Sequence, residues 1–167
     1  YTIAGTCGSS DTASITVANG SNATINPAGP FCANTPSTTL NAVTPGGVWS
    51  GLGIANSSTG SFSSLAVGPG SYNVIYTISG TCGDDDTLTI TVNAASNATI
   101  TPAGPFCSSV NSVSLTAAGS GGLWSGQGIT NAVSGTFSPA GVGAGSWDIV
   151  YTITGSCGDS DTITIVV

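Results

Sequence analysis

Ser71-Tyr-Asn-Val-Ile-Tyr76-Thr-Ile-Ser-Gly80-Thr-Cys82-Gly-Asp-Asp-Asp86-Thr-Leu-Thr-Ile90-Thr-Val92 decides how this chain folds. Tyr72, Val74, Tyr76 and Ile78 fall on one side of a period-two alternation, and Ser71, Asn73, Thr77 and Ser79 fall on the other. After the acidic stretch 80–85, Leu88, Ile90 and Val92 alternate with Thr87, Thr89 and Thr91. Two such runs, rich in β-branched and aromatic residues and joined by a turn, predict a half-buried β-hairpin.

The same hairpin is written three times. Tyr1-Thr-Ile-Ala-Gly-Thr-Cys7-Gly recurs as Tyr76-Thr-Ile-Ser-Gly-Thr-Cys82-Gly and as Tyr151-Thr-Ile-Thr-Gly-Ser-Cys157-Gly. Residues 18–92 align with 93–167 without a gap, and 41 of the 75 positions are identical. A head-to-tail period of this length marks a tandem array, and a unit this large is a small domain rather than a solenoid turn. The predicted organisation is therefore a C-terminal hairpin of a preceding truncated repeat over 1–17, then complete repeats over 18–92 and 93–167. The chain reads as a window from a longer protein.

Outside the hairpin, shorter strands are expected at 22–26, 37–43, 46–51 and 60–64. They are separated by the breakers Pro27-Ala-Gly-Pro30, Pro45-Gly-Gly47 and Gly68-Pro-Gly70. No segment has helical periodicity. Six or seven short strands in 75 residues predict an all-β fold and a β-sandwich. Trp49 and Trp124 sit in Gly-x-Trp-Ser-Gly, where the ring reads as a core anchor rather than a sugar-stacking platform. Trp147 stands where the first repeat has Tyr72, again at an inward position.

Composition excludes several functions. The chain has no Lys, Arg or His, and its seven acidic residues are all Asp. Charged residues make up 4%, against roughly a quarter in an ordinary domain. Without cations it cannot neutralise nucleic-acid phosphates, and an anionic membrane surface repels it. No His base, Lys Schiff base or Arg clamp is available. Pairs of Asp can in principle run glycoside hydrolysis, but here they lie in turns that differ between copies. No apolar run reaches the ~20 residues of a membrane helix. The reading is a non-enzymatic chain without cofactor.

The motifs Pro-Ala-Gly-Pro-Phe-Cys, Gly-Gly-(Val/Leu)-Trp-Ser-Gly-x-Gly-Ile, Gly-Ser-(Tyr/Trp), Tyr-Thr-Ile and Cys-Gly-Asp-x-Asp-Thr run through both complete repeats. Together they resemble the immunoglobulin-like and PKD-like repeats of very large secreted surface proteins of Bacteroidota. The resemblance covers the whole chain and implies tandem immunoglobulin-like β-sandwich domains, outside the cell or attached to its surface. It implies a structural unit of an extracellular filament or stalk, whose partners are other copies of the same repeat or chain. The alternative is an adhesin module that binds surface glycans, which would need exposed aromatic rings.

Three sets of residues stand out. The five cysteines form two periodic classes, Pro-Phe-Cys (Cys32, Cys107) and Gly-(Thr/Ser)-Cys-Gly (Cys7, Cys82, Cys157). Without His or C-x-x-C they read as disulfides rather than as a zinc site. Analogy with related extracellular modules pairs Cys32 with Cys82 and Cys107 with Cys157, each bridge worth about 4 kcal/mol at most in the loop-entropy model. The alternative is a bridge across the junction, Cys32 to Cys157. Strand parity decides between them: a strict seven-stranded immunoglobulin order puts the two cysteines of a repeat at opposite poles, and whether 52–56 is a strand is the open point. The acidic turns offer Asp84, Asp86, Asp159 and Asp161 as weak calcium candidates, against a plainer role as turn or strand caps. Finally, Asp11-Thr12-Ala13, Asp86-Thr87-Leu88 and Asp161-Thr162-Ile163 resemble the Bacteroidota O-glycosylation signal, which makes Thr12, Thr87 and Thr162 candidate glycan sites on an outward face.

Overall fold

A computed structural model describes residues 1–167. A hairpin comes first, β1 (Thr2–Ile3) against β2 (Ser9–Ser10), and its residues are exposed throughout. The first repeat continues with β3 (Phe31–Cys32), β4 (Thr38–Thr39), β5 (Val48–Gly51), β6 (Ile54–Asn56), β7 (Ser61–Phe62), the single turn α1 (Ser64–Val67), β8 (Gly70–Ile78) and β9 (Asp84–Asn93). The second repeats the pattern with β10 (Val113–Ser114), β11 (Leu123–Gly126), β12 (Ile129–Asn131), β13 (Thr136–Phe137), α2 (Pro139–Val142), β14 (Ser146–Ile153) and β15 (Asp159–Val166).

The strands of the first repeat form two sheets, β3-β9-β8-β5 and β4-β7-β6. Residues 23–25 join the smaller sheet through the antiparallel bridge Ile25 to Ala42. The chain then crosses at Pro27–Pro30 to the larger sheet, where β3 runs parallel to the end of β9, Phe31 opposite Val92 and Cys32 opposite Asn93. A first strand split between two sheets, a parallel pairing of its second half with the last strand, and seven strands in all make an immunoglobulin-like sandwich. The open segment 52–56 supplies the fourth of them: Ile54–Asn56 pairs with β7 in the smaller sheet.

The long hairpin β8–β9 keeps one register from Gly70 opposite Val92 to Ile78 opposite Asp84. Its inward positions are those of the alternation: Val74, Tyr76, Ile90 and Val92 are buried and Tyr72, Ile78 and Leu88 half-buried. They close on Ala23, Ile25, Leu40 and Phe62 from the side of the facing sheet, with Trp49 of β5 beside them in their own sheet. A second, separate cluster holds Ala98, Ile100, Leu115, Trp124, Phe137, Ile149, Tyr151 and Ile165.

Trp49 is 4% exposed and its ring centroid lies 4.6 Å from that of Tyr76. The Tyr76 hydroxyl donates to the Thr44 carbonyl at 2.8 Å and accepts from Gly47 N–H at 2.7 Å, which ties the turn before β5 onto the core. Gly60 leaves room for the indole: a Cβ there would lie 2.7 Å from Trp49 Nε1, and its φ of +69° is one that L side chains rarely adopt. Tyr72 and Trp147, which interchange between the repeats, do the same thing structurally. Tyr72 Oη donates to the Val67 carbonyl at 2.8 Å, and Trp147 Nε1 donates to the Gly143 carbonyl at 3.2 Å. Each pins the start of its strand to the preceding turn, as the tyrosine corner does in immunoglobulin-like domains.

Candidate functional site at the repeat junction

The cysteine pairing expected from analogy is corrected by the structure. Cys32 is bonded to Cys157, with Cα atoms 5.5 Å apart and a sequence separation of 125. Cys82 and Cys107 are free, as is Cys7. The reason is parity. Five strands, β4 to β8, lie between Cys32 and the turn that holds Cys82, so the two cysteines of one repeat end at opposite poles. Cys32 lies opposite Asn93 at the end of β9, whereas Cys82 precedes its start at Asp84. Ten residues of strand separate them, about 30 Å. A disulfide needs Cα atoms within about 7 Å.

The backbone reinforces the bridge from both sides. Ala33 N–H donates to the Asn93 carbonyl at 2.9 Å, so the end of β9 is held by the segment carrying Cys32. Farther along, Ser96 N–H donates to the Cys157 carbonyl at 3.0 Å. Asn93, Ala95 and Ser96 are half-buried. The connection between the repeats is thus fastened to the first repeat at one end and to the second at the other, with the disulfide beside it.

The acidic candidates reach across the fold to backbone donors of the first strand segment. Asp84 Oδ2 accepts from Ala23 N–H at 2.9 Å and Asp86 Oδ2 from Ile25 N–H at 2.8 Å. Asp159 and Asp161 do the same for Ala98 and Ile100, each at 2.8 Å. The second oxygens of Asp86 and Asp161 accept from Thr87 and Thr162 N–H. The first strand segment therefore meets a sheet neighbour on one edge and two carboxylates on the other, across 61 positions of sequence. In a chain without cations, buried backbone donors take the place of salt-bridge partners. No group of three or more potential metal-ligating side chains comes together. The signal lies in the alternation: Asp84 and Asp86 are in phase with Leu88, Ile90 and Val92, whereas the outward Asp85 is replaced by Ser160.

Thr12, Thr87 and Thr162 are all exposed. The rings are not: Trp49, Trp124, Phe62, Phe137, Tyr76 and Tyr151 are buried, and Tyr1 is the one aromatic among the exposed large hydrophobics. Two shallow surface depressions exist, one along Thr152–Ser160 and one formed by Ala28–Pro30 with Thr89, Thr91 and Asn93. Neither contains an aromatic ring.

No protein-family model matches the sequence, and no curated protein matches it. Among solved structures, extracellular cadherin domains 1–4 of protocadherin gamma B7 are similar at 17% identity and a TM-score of 0.30, over 82% of this chain and 46% of that one. The chain thus spans less than half of that structure's length, and the likeness carries no inference about binding. No helix is long and apolar enough to cross a membrane.

The carboxylate clamp is open to direct test. Asp161→Ala removes two charge-assisted bonds and leaves the Ile100 N–H, on a residue 2% exposed, without a partner. The expected loss in denaturant unfolding is about 2–4 kcal/mol. Asp85→Ser, which copies the second repeat, should stay within about 0.5 kcal/mol of the parent. Equal losses for the two variants would contradict the clamp.

Proposed function

We propose that this chain is a stretch of a stiff extracellular fibre or stalk, built from immunoglobulin-like domains over 18–92 and 93–167, with 1–17 the closing hairpin of another repeat. The bridge between Cys32 and Cys157 carries this reading. A disulfide within a domain stabilises that domain; one between neighbours fixes their joint. Here the joint also has backbone hydrogen bonds at both ends of a short connection, from Asn93 to Ser96, and short linkers of this kind oppose hinging. A bridge that persists belongs in an oxidising compartment, which supports a secreted or surface-attached location. The absence of Lys and Arg from the sequence removes every cleavage site for trypsin-like proteases.

The bridge also changes how the chain bears tension. It spans 125 positions of sequence, so a pull along the chain passes from Cys32 to Cys157 and leaves residues 33–156 off the loaded path. At ~3.6 Å per extended residue, about 450 Å of chain is withheld from stretching. The reading assigns no catalytic step to the chain. A glycan-binding adhesin finds little support, because the rings that stack on sugars are packed inside.

Native material should show a regular axial repeat of roughly 35–45 Å, the height of strands at ~3.3 Å per residue with turns and a short connection added. Micrographs or fibre diffraction will read it. A purified multi-repeat chain that scatters X-rays as a compact or freely jointed body would overturn the stalk, and saturable glycan binding by a single repeat would favour the adhesin.

The exposed threonines Thr12, Thr87 and Thr162 are proposed O-glycan sites. Intact-mass spectrometry of native protein should then exceed the polypeptide mass; the bare mass would remove the proposal.

A further inference from the structure

The first strand segment of each repeat carries a pair of side chains that the fold leaves unused. Asn22-Ala-Thr24 and Asn97-Ala-Thr99 stand in register, 75 residues apart. Ala23 and Ile25 are buried, as are Ala98 and Ile100, and the alternation leaves the Asn and Thr exposed together on the outward face. Asn22 Oδ1 accepts from Thr24 N–H and Asn97 Oδ1 from Thr99 N–H, each at 3.0 Å. A backbone donor at that distance fixes which end of the amide is oxygen. The Nδ2 atoms donate to no protein group, and the Thr24 and Thr99 hydroxyls are equally unengaged. The backbone itself is held elsewhere, by the carboxylate clamp on one edge and the bridge to Ala42 or Ala117 on the other.

We propose that Asn97, and Asn22 at the same place in the first repeat, are N-glycan acceptors. An Asn followed two residues later by Thr is the acceptor motif, and a strand puts those two side chains on one face, the hydroxyl beside the amide. Asn97 is exposed with the preceding repeat joined in front of it, so a complete junction leaves room for the sugar. The other matches to the motif lack this setting. In Asn56-Ser-Ser58 the Asn56 Oδ1 accepts from Ser58 and Thr59 N–H. Asn131 makes the same two bonds, to Val133 and Ser134 N–H, where the motif is lost to Asn131-Ala-Val133. Asn56 therefore closes a turn. Asn19-Gly-Ser21 is replaced by Ala94-Ala-Ser96 in the second repeat.

The donor is a lipid-linked oligosaccharide pyrophosphate, used by an oligosaccharide transferase. Asn97 Nδ2 attacks the anomeric carbon of the sugar, the bond from that carbon to the pyrophosphate oxygen breaks, and Nδ2 gives up one proton as the lipid pyrophosphate leaves. No electrons change hands. The inference rests on the reading of the chain as secreted, because this transfer acts on exported chains, and it adds what covers the joint. Asn97 directly follows Ser96, whose N–H is bonded to the Cys157 carbonyl. A bulky, hydrated glycan there stands beside the connection and the bridge from Cys32 to Cys157 and shields both.

The test is to treat native protein with a peptide-N-glycosidase in heavy-oxygen water, digest it with chymotrypsin and map the fragments by mass. Asn22 and Asn97 should lose their sugar mass and be recovered as oxygen-labelled Asp, while Asn56 is recovered as unlabelled Asn. Sugars on threonine survive this enzyme, so the two kinds of modification are read apart. Asn97 recovered as Asn without sugar would overturn the proposal, and labelling of Asn56 to the same extent would overturn its structural basis. The Cys32–Cys157 linkage, mapped in the same digest, reports export separately, so a bare Asn97 beside a closed bridge sinks only the glycan.

Discussion

Strand parity governs this molecule. An odd number of strands between Cys32 and Cys82 puts the two cysteines of a repeat at opposite ends of a sandwich whose last strand alone is about 30 Å long. Neither can then satisfy the other, and each is presented to a neighbouring repeat. The Cys32–Cys157 bridge, the fastening of Asn93 and Ser96, and the free thiols at the far poles all follow from that count. Losing the three-residue strand Ile54–Asn56 would have reversed the parity and turned a joint into an internal staple.

Charge imposes the second constraint. A chain with seven carboxylates and no cationic side chain must find donors for its acidic groups in solvent or in its own backbone. It places two Asp of each repeat where the alternation of the last strand points inward, beside the first strand segment. There they accept the N–H groups of Ala23 and Ile25, or of Ala98 and Ile100. The clamp links the two sheets at an edge that would otherwise leave donors unpaired. The outward-facing Asp85 has no such partner, and the second repeat replaces it with serine.

Much of the fold is legible in the sequence because the hairpin β8–β9 is long, regular and half-buried, so that period two reports burial residue by residue. Trp49 and Trp124 are legible as anchors from their glycine-flanked setting, a β-sandwich follows from strand number, and its immunoglobulin-like character from the resemblance of the motifs. The strands of two or three residues leave no alternation to read, and Ile54-Ala-Asn56 is one of them. That gap is why the cysteine pairing, which depends on a count of strands, goes to the wrong partner by analogy. The single turns at Ser64–Val67 and Pro139–Val142 are too short to carry any period. The acidic residues read as a local turn because their partners lie 61 positions away, a distance at which sequence spacing alone says nothing.

The bridge at the junction takes most of the chain off the loaded path, and stretching single molecules held at their two ends tests this most directly. Under oxidising conditions, full unfolding should leave the stretch from 18 to 167 no longer than about 90 Å, because only about 24 extended residues and the bridge remain in line. Reduction should then release about 450 Å in one step. Two separate releases of roughly 180 Å each, the length of the roughly 50-residue intervals within the repeats at ~3.6 Å per residue, would show that the bridges close inside the repeats and would contradict the account.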